Sequence, residues 1–594
     1  MRITILILVI SAMFCKYATG QDFTFDNVSN GELDMKKYAK DTSAHAVVLQ
    51  EFGKASIETV IDENIRLVFD YHVKIKIIDN KGVDNATVEI PVYNYSDEDV
   101  DSYEIVEGIA GVTYYKDDNG LTQKIELGNK NIYPVKQTKH LAIYKFAMPG
   151  VRSGSVIEYK YRLVSPYLEK FRPWVFQGSI PKVYSEYETH IPGYWSYYVS
   201  LKGGLVLTKK TSTTEAHCFS VNGGSSSIVS TSADCAVTAY GMGDIPAFVG
   251  EEYMTARDNF LSSINFELAE YKGPYSDVKM KVTKEWKDAD EVLKQEFFFG
   301  NQLKKKMLFS DRIIPVVAGI PDGLGKAKAV YAWVQQMFKW NGDSYFESSD
   351  ALSKALEKHT GNAADINLSL IIALNAAGLN ANAVLLSTRD NGTVSSLYPA
   401  ISDFNYVIAR VDIGGTGYLL DATDPLLAFG MLPLRCLNGK GRLFSMDKPS
   451  YFIDINPPQK QKSTRTMDLT LQTDGKLKGT LVTYAVGYDA YQERIAVKKF
   501  NSTDEYLEDF NNKLHRVKIL KANISNLDSL EQPVIERYEL EIDITNKMAE
   551  NSLSFNPFFW NRIDVNPFNL TERLFPVDMG MPIDQRATFL FICR

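Results

Sequence analysis

The pattern of apolar and polar residues divides the chain into strand-rich ends and a mainly helical middle. In the first part, apolar and polar residues alternate over stretches such as Ile65–Ile77 and residues 155–163, and turn sequences such as residues 117–120 separate them. Such alternation is typical of strands with one buried face. It predicts a β-sandwich over residues 46–250.

The middle of the chain has helical spacing. Helical patterns extend over residues 259–338, and Val330, Val334 and Phe338 fall on one helix face. A further apolar helix is predicted from Ala363 to a stop at Gly378.

Short strand patterns follow this helix and return after residue 460. The predicted strands are residues 383–387, 406–411, 417–421, 467–471, 477–485, 538–544 and 587–593. A helix at 504–515 interrupts the later ones. The last of these strands is mainly apolar, which predicts a buried position, and the sequence ends directly after it. The fold class predicted here is therefore α+β and multidomain, with a C-terminal β-sandwich that is expected to be incomplete.

The first twenty residues have the pattern of a secretory signal peptide. Arg2 is followed by an apolar run over residues 3–14, and small residues end the segment before Gln21. The apolar run is too short for a membrane anchor, and the bulky neighbour of Cys15 disfavours a lipid anchor. No later stretch reaches the length of a transmembrane helix. We expect an exported chain that begins at Gln21.

Charge and cysteine content restrict the function further. The net charge is -8 without a basic stripe, so nucleic acid is not an expected partner. Cys218, Cys235, Cys436 and Cys593 remain after cleavage. The first two flank a Gly/Ser turn and are candidates for a cross-strand disulfide, although the spacing leaves pairing open. No CxxC or HxxxH motif occurs, so neither a metal nor another cofactor is expected.

Three segments of the middle region carry candidate chemistry. They are residues 361–365 at the start of the apolar helix, 404–407 at a strand start, and 418–425 at the end of the next strand. Their order resembles the transglutaminase-like superfamily, whose core is papain-like. That family places a cysteine, a histidine and an aspartate at these three points. The helix dipole stabilises the thiolate, the histidine takes the thiol proton, and the aspartate orients the histidine.

The resemblance assigns these three positions to Ala363, Asn405 and Asp421. Neither a methyl group nor an amide can replace the cysteine or the histidine, so the resemblance implies loss of acyl transfer. Cys436 lies beyond the Asp421 strand without a nearby histidine in the sequence, which makes it a poor substitute nucleophile.

The resemblance also implies a cleft around these positions, whose residues are candidates for binding a ligand. They are Asn362, Asp365, Asn367, Arg389, Asn405 and Asp421. For Asn405 and Asp421 two interpretations stay open: a hydrogen-bonded pair in an inherited binding pocket, or a pair that pins two strands together.

The resemblance extends over residues 46–590, to a bacterial family in which a β domain of unknown function precedes the core and another β domain follows it. Segments such as residues 146–159 and 386–392 carry it. It implies an exported protein of a Gram-negative bacterium, in the periplasm or on the outer surface. The expected organisation is a signal peptide (1–20), a loose leader (21–45), an N-terminal β domain (46–250), a helical connector (251–320), a transglutaminase-like core (321–455) and a C-terminal β domain (456–594).

The leading hypothesis is a transglutaminase-like pseudoenzyme of the cell envelope that binds a peptide, glycan or protein. The alternative is a hydrolase or transferase that acts on peptide or glycan amide bonds with an unconventional active site. Asp365 and Asp421 would supply its acid and base, and this mechanism requires both carboxyls to face solvent. A third hypothesis is a scaffold in which the β domains bind and the core is a spacer.

Overall fold

The computed structural model describes most of the chain. The described residues are 23–60, 64–93, 102–137, 141–222, 230–274, 276, 278–282, 285–395, 399–544, 548–549, 552–553, 556, 558, 565–568, 570 and 572–592. The predicted signal peptide and Cys593 lie outside them. The chain divides into two compact units, Met1–Val249 with Phe260–Val282, and Gly250–Asn259 with Thr283–Arg594.

The first unit consists almost entirely of strands. Its elements are α1 (Asn30–Asp34), β1 (Ala46–Thr59), β2 (Ile65–Ile77), β3 (Thr87–Tyr93), β4 (Ile105–Lys116), β5 (Thr122–Glu126), β6 (Tyr133–Lys136), β7 (Leu141–Ala147), β8 (Val156–Ser165), β9 (Trp174–Val175), β10 (Lys182–Pro192), β11 (Trp195–Lys202), β12 (Lys209–Asn222), β13 (Ser230–Ile245), β14 (Ser263–Lys272) and β15 (Lys279–Lys281).

These strands form three sheets around a shared apolar core. The largest has eight strands in the order β12-β13-β10-β1-β2-β8-β4-β5, and β14 and β7 belong to two smaller sheets. Side chains from all three sheets, among them Phe69, Phe146 and Phe266, lie in one buried cluster. The predicted strand-rich N-terminal domain is confirmed. Cys218 and Cys235 pair as a disulfide between β12 and β13, with Cα atoms 5.8 Å apart.

The predicted helical stretch from residue 259 is wrong at its start. Residues 263–272 form β14, which pairs with β11. Ile264 and Phe266 are buried, and polar side chains alternate with them. The alternation of period two, rather than helical spacing, therefore determined the local structure.

The leader is not loose from residue 23 onward, because it packs on the large sheet. The ammonium group of Lys76, which is fully buried, donates to the carbonyl of Leu33 at 2.6 Å. Lys74 donates to the carbonyl of Asn27 at 2.6 Å. Burial lowers the pKa of Lys76 to about 8. Two buried cations thus depend on backbone acceptors of the leader, since a buried ammonium without a partner is costly.

The second unit begins with a core of helices around one sheet. Its elements are α2 (Trp286–Gln295), α3 (Gly300–Leu303), α4 (Ser310–Val317), α5 (Gly323–Met337), β16 (Lys339–Trp340), α6 (Leu352–Lys358), β17 (Thr360–Gly361), α7 (Ala363–Ala376), β18 (Asn380–Leu386), β19 (Tyr406–Ile413), β20 (Thr416–Leu420), β21 (Lys440–Phe444) and β22 (Tyr451–Asp454).

Helix α7 lies at the centre of this core. All its residues from 363 to 374 are buried, and it packs against β18 and β19 of the antiparallel sheet β20-β19-β18-β21-β22. The helix ends where the sequence predicts, before Gly378, whose φ of 79° suits glycine. A helix that is apolar on every side is stable only when it is covered on every side, and this burial fixes the position of its N-terminus.

The last part of the second unit is a sheet with two helices. Its elements are β23 (Gln461–Leu471), β24 (Lys476–Gly487), α8 (Tyr488–Lys498), α9 (Thr503–Lys513), β25 (Val517–Ser525), β26 (Val534–Asp543), β27 (Met548–Ala549), β28 (Ser552–Leu553) and β29 (Ile583–Ile592). The five-stranded sheet has the order β25-β26-β24-β23-β29. Helix α8, which the sequence analysis did not predict, packs on β23, β24 and β26. The multidomain α+β class with a C-terminal sheet is confirmed.

The final strand is an edge strand and not a buried one. β29 pairs with β23 alone in the order of the sheet. Leu590 and Ile592 are 52% and 40% exposed. The apolar run predicted the strand correctly, but β29 has a neighbouring strand on one side only, and most of its side chains are exposed.

A buried polar cluster lies between α8 and the C-terminal sheet. Arg465, Thr483 and Glu536 stand opposite one another on three neighbouring strands, so their side chains share a face. Asp489 and Glu493 on α8 face them: Asp489 is 8% exposed, and the charges of Arg465 and Asp489 act on Glu493. Four buried side-chain atoms here lack a hydrogen-bond partner among the described residues: Ser463 Oγ, Arg465 Nε, Thr483 Oγ1 and Asp489 Oδ2.

Of the helices in the described ranges, none combines the length and apolar character needed to cross a membrane.

Candidate functional site

The N-terminus of α7 is the point where the resemblance places a nucleophile. Ala363 is the first residue of the helix and is fully buried. Its amide donates to the carbonyl of Asp343 at 3.1 Å. Its side chain is a single methyl group, so this position carries no reactive atom.

Two of the predicted binding residues cap this helix. The side chain of Asn362 accepts from the amide of Asp365 at 2.8 Å, and the Asp365 carboxylate accepts from the amide of Asn362 at 3.0 Å. Ser348 and Ser349 also donate to that carboxylate, at 2.5 and 2.8 Å. The arrangement is a capping box, which satisfies amides that the first helical turn leaves open. Asp365 is fully buried, so it does not meet the requirement of the paired-carboxylate mechanism.

Asp421 follows β20 and is fully buried. Its Oδ1 accepts from the side chain of Asn367 at 3.1 Å and from the amide of Thr423 at 3.0 Å. Its Oδ2 accepts from the hydroxyl of Tyr406 at 2.9 Å and lies 3.5 Å from Nη2 of Arg435. Both oxygens of this carboxylate are therefore already engaged by protein donors.

Asn367 joins this carboxylate to the sheet. On α7 and fully buried, it donates to the carbonyl of Val407 at 2.9 Å as well as to Asp421. Its side-chain oxygen accepts from the amide of Ala422 at 2.9 Å. Its contacts tie the helix to two strand ends, which is a structural role.

The expected pair of Asn405 and Asp421 is wrong. The side chain of Asn405 accepts from the amide of Thr388 at 2.8 Å and donates to the Thr388 hydroxyl at 2.9 Å. The next residue, Tyr406, presents its side chain to Asp421 instead. Neighbouring side chains of an extended chain point to opposite faces, so the position from which a base would reach Asp421 belongs to Tyr406. Burial and the Asp421 carboxylate raise the pKa of Tyr406 well above its usual range.

Arg435 completes the arrangement from a short 3-10 helix, Leu434–Cys436. Its Nε and Nη2 donate to the hydroxyl of Tyr406 at 3.2 and 3.0 Å, and Nη2 donates to the hydroxyl of Thr423 at 2.5 Å. The guanidinium carbon lies 4.4 Å from the ring centroid of Trp340. Trp340 pairs with Gly361 just before α7, so Arg435 stands beside the start of that helix.

Cys436 is closer to the site than its sequence context indicates. Its thiol lies 3.7 Å from Oδ2 of Asp421 and is fully buried. Burial, and then the Asp421 carboxylate, raise the pKa of the thiol well above its ordinary value. The thiolate is the nucleophilic form, so this cysteine has the environment of an inert one.

The backbone of Arg389 is next to the site, since its amide donates to the carbonyl of Arg435 at 2.9 Å, but its side chain binds other groups. Its Nη1 donates to the carbonyl of Leu437 at 3.0 Å and its Nη2 to the carbonyl of Asp578 at 2.7 Å. It also forms an ion pair with the Asp578 carboxylate at 3.1 Å. These contacts fasten loops and do not place Arg389 against Asp421.

The structure therefore brings Ala363, Asn367 and Asp421 into one region, whereas the side chains of Asn405 and Arg389 bind other groups beside it. The sequence did not reveal Tyr406 and Arg435 as site residues, because only the folded chain places their side chains beside Asp421. The alternation of side chains at the start of β19 was the available signal for Tyr406. Across the ranges that the structure describes, no group of three or more His, Cys, Asp and Glu side chains is arranged to hold a metal ion.

Comparison with known proteins is consistent with this architecture. Residues 311–418 match the model of the transglutaminase-like superfamily. The crystal structure of a proposed protease from Parabacteroides distasonis is similar with a TM-score of 0.50 and 11% identity, over 84% of this chain and 93% of that one. At this identity the similarity shows the fold alone.

A proposed cysteine protease from Cytophaga hutchinsonii aligns over 46% of this chain and 84% of its own, with 12% identity and a TM-score of 0.18, which is too low to support an inference. No curated protein matches the sequence significantly.

Proposed function

We propose, from the premise that residues 311–418 form a transglutaminase-like domain, that this chain is an exported, non-catalytic protein of the cell envelope. In this proposal the core binds a peptide, glycan or protein partner and does not turn it over. The observation that carries the proposal is Ala363, which stands fully buried at the helix N-terminus where the resemblance calls for a thiol.

The groups around Ala363 support the same conclusion. A general base must accept a proton near neutral pH, whereas Tyr406 has a raised pKa and donates its hydroxyl hydrogen to Asp421. Cys436 is the described thiol nearest to Asp421, and its raised pKa keeps it protonated. A nucleophile and a base act as a unit, so the absence of either removes most of the rate enhancement.

The alternative is a hydrolase or transferase with an unconventional active site. Its paired-carboxylate form requires Asp365 and Asp421 to face a cleft, and both are fully buried. Asp365 is also engaged in the helix cap. These contacts favour a structural role for both carboxyls and weaken that mechanism.

A turnover assay tests the proposal. The purified chain is incubated with peptide amide and ester substrates, beside the variants Asp421→Asn and Cys436→Ser. We expect no turnover that depends on either residue. Turnover by the wild type that disappears in Cys436→Ser would show that the protein is an enzyme and overturn the proposal.

A further inference from the structure

We propose that Arg435 anchors a carboxylate-binding subsite beside the start of α7, so that the partner of this core carries a free carboxylate. The inference rests on the proposed function, because it specifies the chemistry of the partner bound at the same site. Three features of Arg435 carry it: an unused donor at Nη1, a fixed orientation and a counter-charge that lies at the opposite end of the guanidinium.

The first feature is the free end of the guanidinium. Nε and Nη2 make all the hydrogen bonds that Arg435 forms with described residues, and Nη1 makes none. Nη1 is also not one of the buried side-chain atoms without a partner. It is therefore reachable from solvent, in agreement with the 23% exposure of the side chain. The cation thus keeps a donor for an outside acceptor at Nη1.

The second feature is that the guanidinium is held in place. The Tyr406 hydroxyl accepts from one edge of the group, and the ring of Trp340 lies 4.4 Å from its central carbon. Arg435 therefore needs little further ordering to bind a ligand. Pre-organised arginine is well suited to carboxylates because less side-chain entropy is lost for each hydrogen bond.

The third feature is the charge balance. Asp421 is the carboxylate that pairs with Arg435 among the described residues, and the separation of 3.5 Å is long for a charged hydrogen bond. The same oxygen accepts from Tyr406 at 2.9 Å. Asp421 approaches the guanidinium at Nη2, so an anion at Nη1 would bind the end of the cation that lies away from this carboxylate.

Arg389 shows the contrast within the same core. Both of its Nη atoms donate to protein carbonyls, and its ion pair with Asp578 is shorter, at 3.1 Å. Its side chain is 10% exposed. Both ends of the Arg389 guanidinium therefore bind protein groups, whereas Nη1 of Arg435 binds none of the described residues.

A carboxylate of this kind has two sources, a peptide C-terminus and an acidic sugar. Calorimetric titration separates them with two matched probe pairs: N-acetyl-alanyl-alanine against its C-terminal amide, and glucuronic acid against glucose. We expect at least one acid to bind about ten-fold or more tightly than its neutral partner, because a charge-assisted hydrogen bond is lost with the carboxylate. The pair that shows the preference identifies the source.

Variants then locate the binding. Arg435→Gln should abolish the preference for the acid, and Trp340→Phe should remove the change in tryptophan emission that binding causes. Arg410→Gln is the matched control, since Arg410 has the same 23% side-chain exposure but pairs with Asp412 on β19. It should keep the preference. Arg435→Lys, which retains the charge without the planar fork, should give an intermediate preference if Arg435→Gln does not fold.

The results separate the two proposals. Failure of the wild type to distinguish either acid from its neutral partner, or an unchanged preference in a folded Arg435→Gln or Arg435→Lys variant, overturns the subsite. Cleavage of the dipeptide would instead overturn the non-catalytic function.

Discussion

Glu536 in the buried cluster beneath α8 should make the C-terminal sheet less stable at alkaline pH. Glu536 is 4% exposed, and burial, followed by the charge of Glu493, raises its pKa from 4.5 to about 8. The folded state therefore holds a proton on Glu536 that the unfolded state releases. Between about pH 4.5 and about pH 8 the folded state binds more protons, so stability falls as pH rises through this window and stays low above it.

The change that tests this effect is Glu536→Gln, which keeps the shape of the side chain and removes its ionisation. The difference between 4.5 and about 8, at about 1.4 kcal/mol for each pKa unit, sets an upper limit of about 5 kcal/mol. Part of this free energy belongs to Glu493 rather than to Glu536, because burial raises the pKa of Glu493 as well. We expect the variant to be more stable than the wild type by about 2–4 kcal/mol at about pH 9, and by little at about pH 4.

Native-state hydrogen exchange of the amides of β24 is the suitable assay, because it reports the free energy of local opening in a chain that does not unfold as one unit. Glu541→Gln on the same strand, β26, is the control. Lys476 and Lys478 lower the pKa of Glu541 to about 2, so that variant should gain no alkaline stability. Equal protection of Glu536→Gln and wild type at about pH 9 would refute the burial argument.

Three further predictions concern stability and processing. Asn367→Ala should lower stability by about 3 kcal/mol, because it leaves a buried carbonyl and a buried amide without partners; thermal unfolding beside the exposed control Asn380→Ala checks this, and equal melting temperatures would contradict it. Cys218→Ser should cost about 3 kcal/mol, since the disulfide closes a loop with a sequence separation of 17; a urea midpoint that neither this change nor a reductant lowers would contradict it. After expression in a Gram-negative host, the N-terminal sequence of the periplasmic protein should begin at Gln21, and retention of the first twenty residues would show that they are not a cleaved signal.

The part of the site that could be predicted from sequence is the part that local rules determine. Helix α7 was predicted from its apolar run and its glycine stop, and its predicted start at Ala363 is correct. The full burial of Asp421 was not predicted. Arg435 was missed because its approach to Tyr406 depends on a loop that the structure folds back onto β19. Long-range contacts of this kind leave no periodic signal in a single sequence.

The error at Asn405 has a different origin. The family resemblance assigned the histidine position to Asn405, although the strand itself begins at Tyr406. A shift of one residue reverses the face on which a side chain lies. The mistaken helix over β14 is similar, because the alternation of Ile264 and Phe266 was present in the sequence and was outweighed by the helices that follow.

The docked leader also imposes an order of events on synthesis. Lys74 and Lys76 lie on β2, but the amide of Asp26 donates to Glu158, which is 132 residues later in the chain. The leader, which precedes β8 in the chain, therefore lacks its partner Glu158 until β8 has been made. Because a long loop must close before this contact forms, we expect the contact between the leader and Glu158 to form late in the folding of this unit.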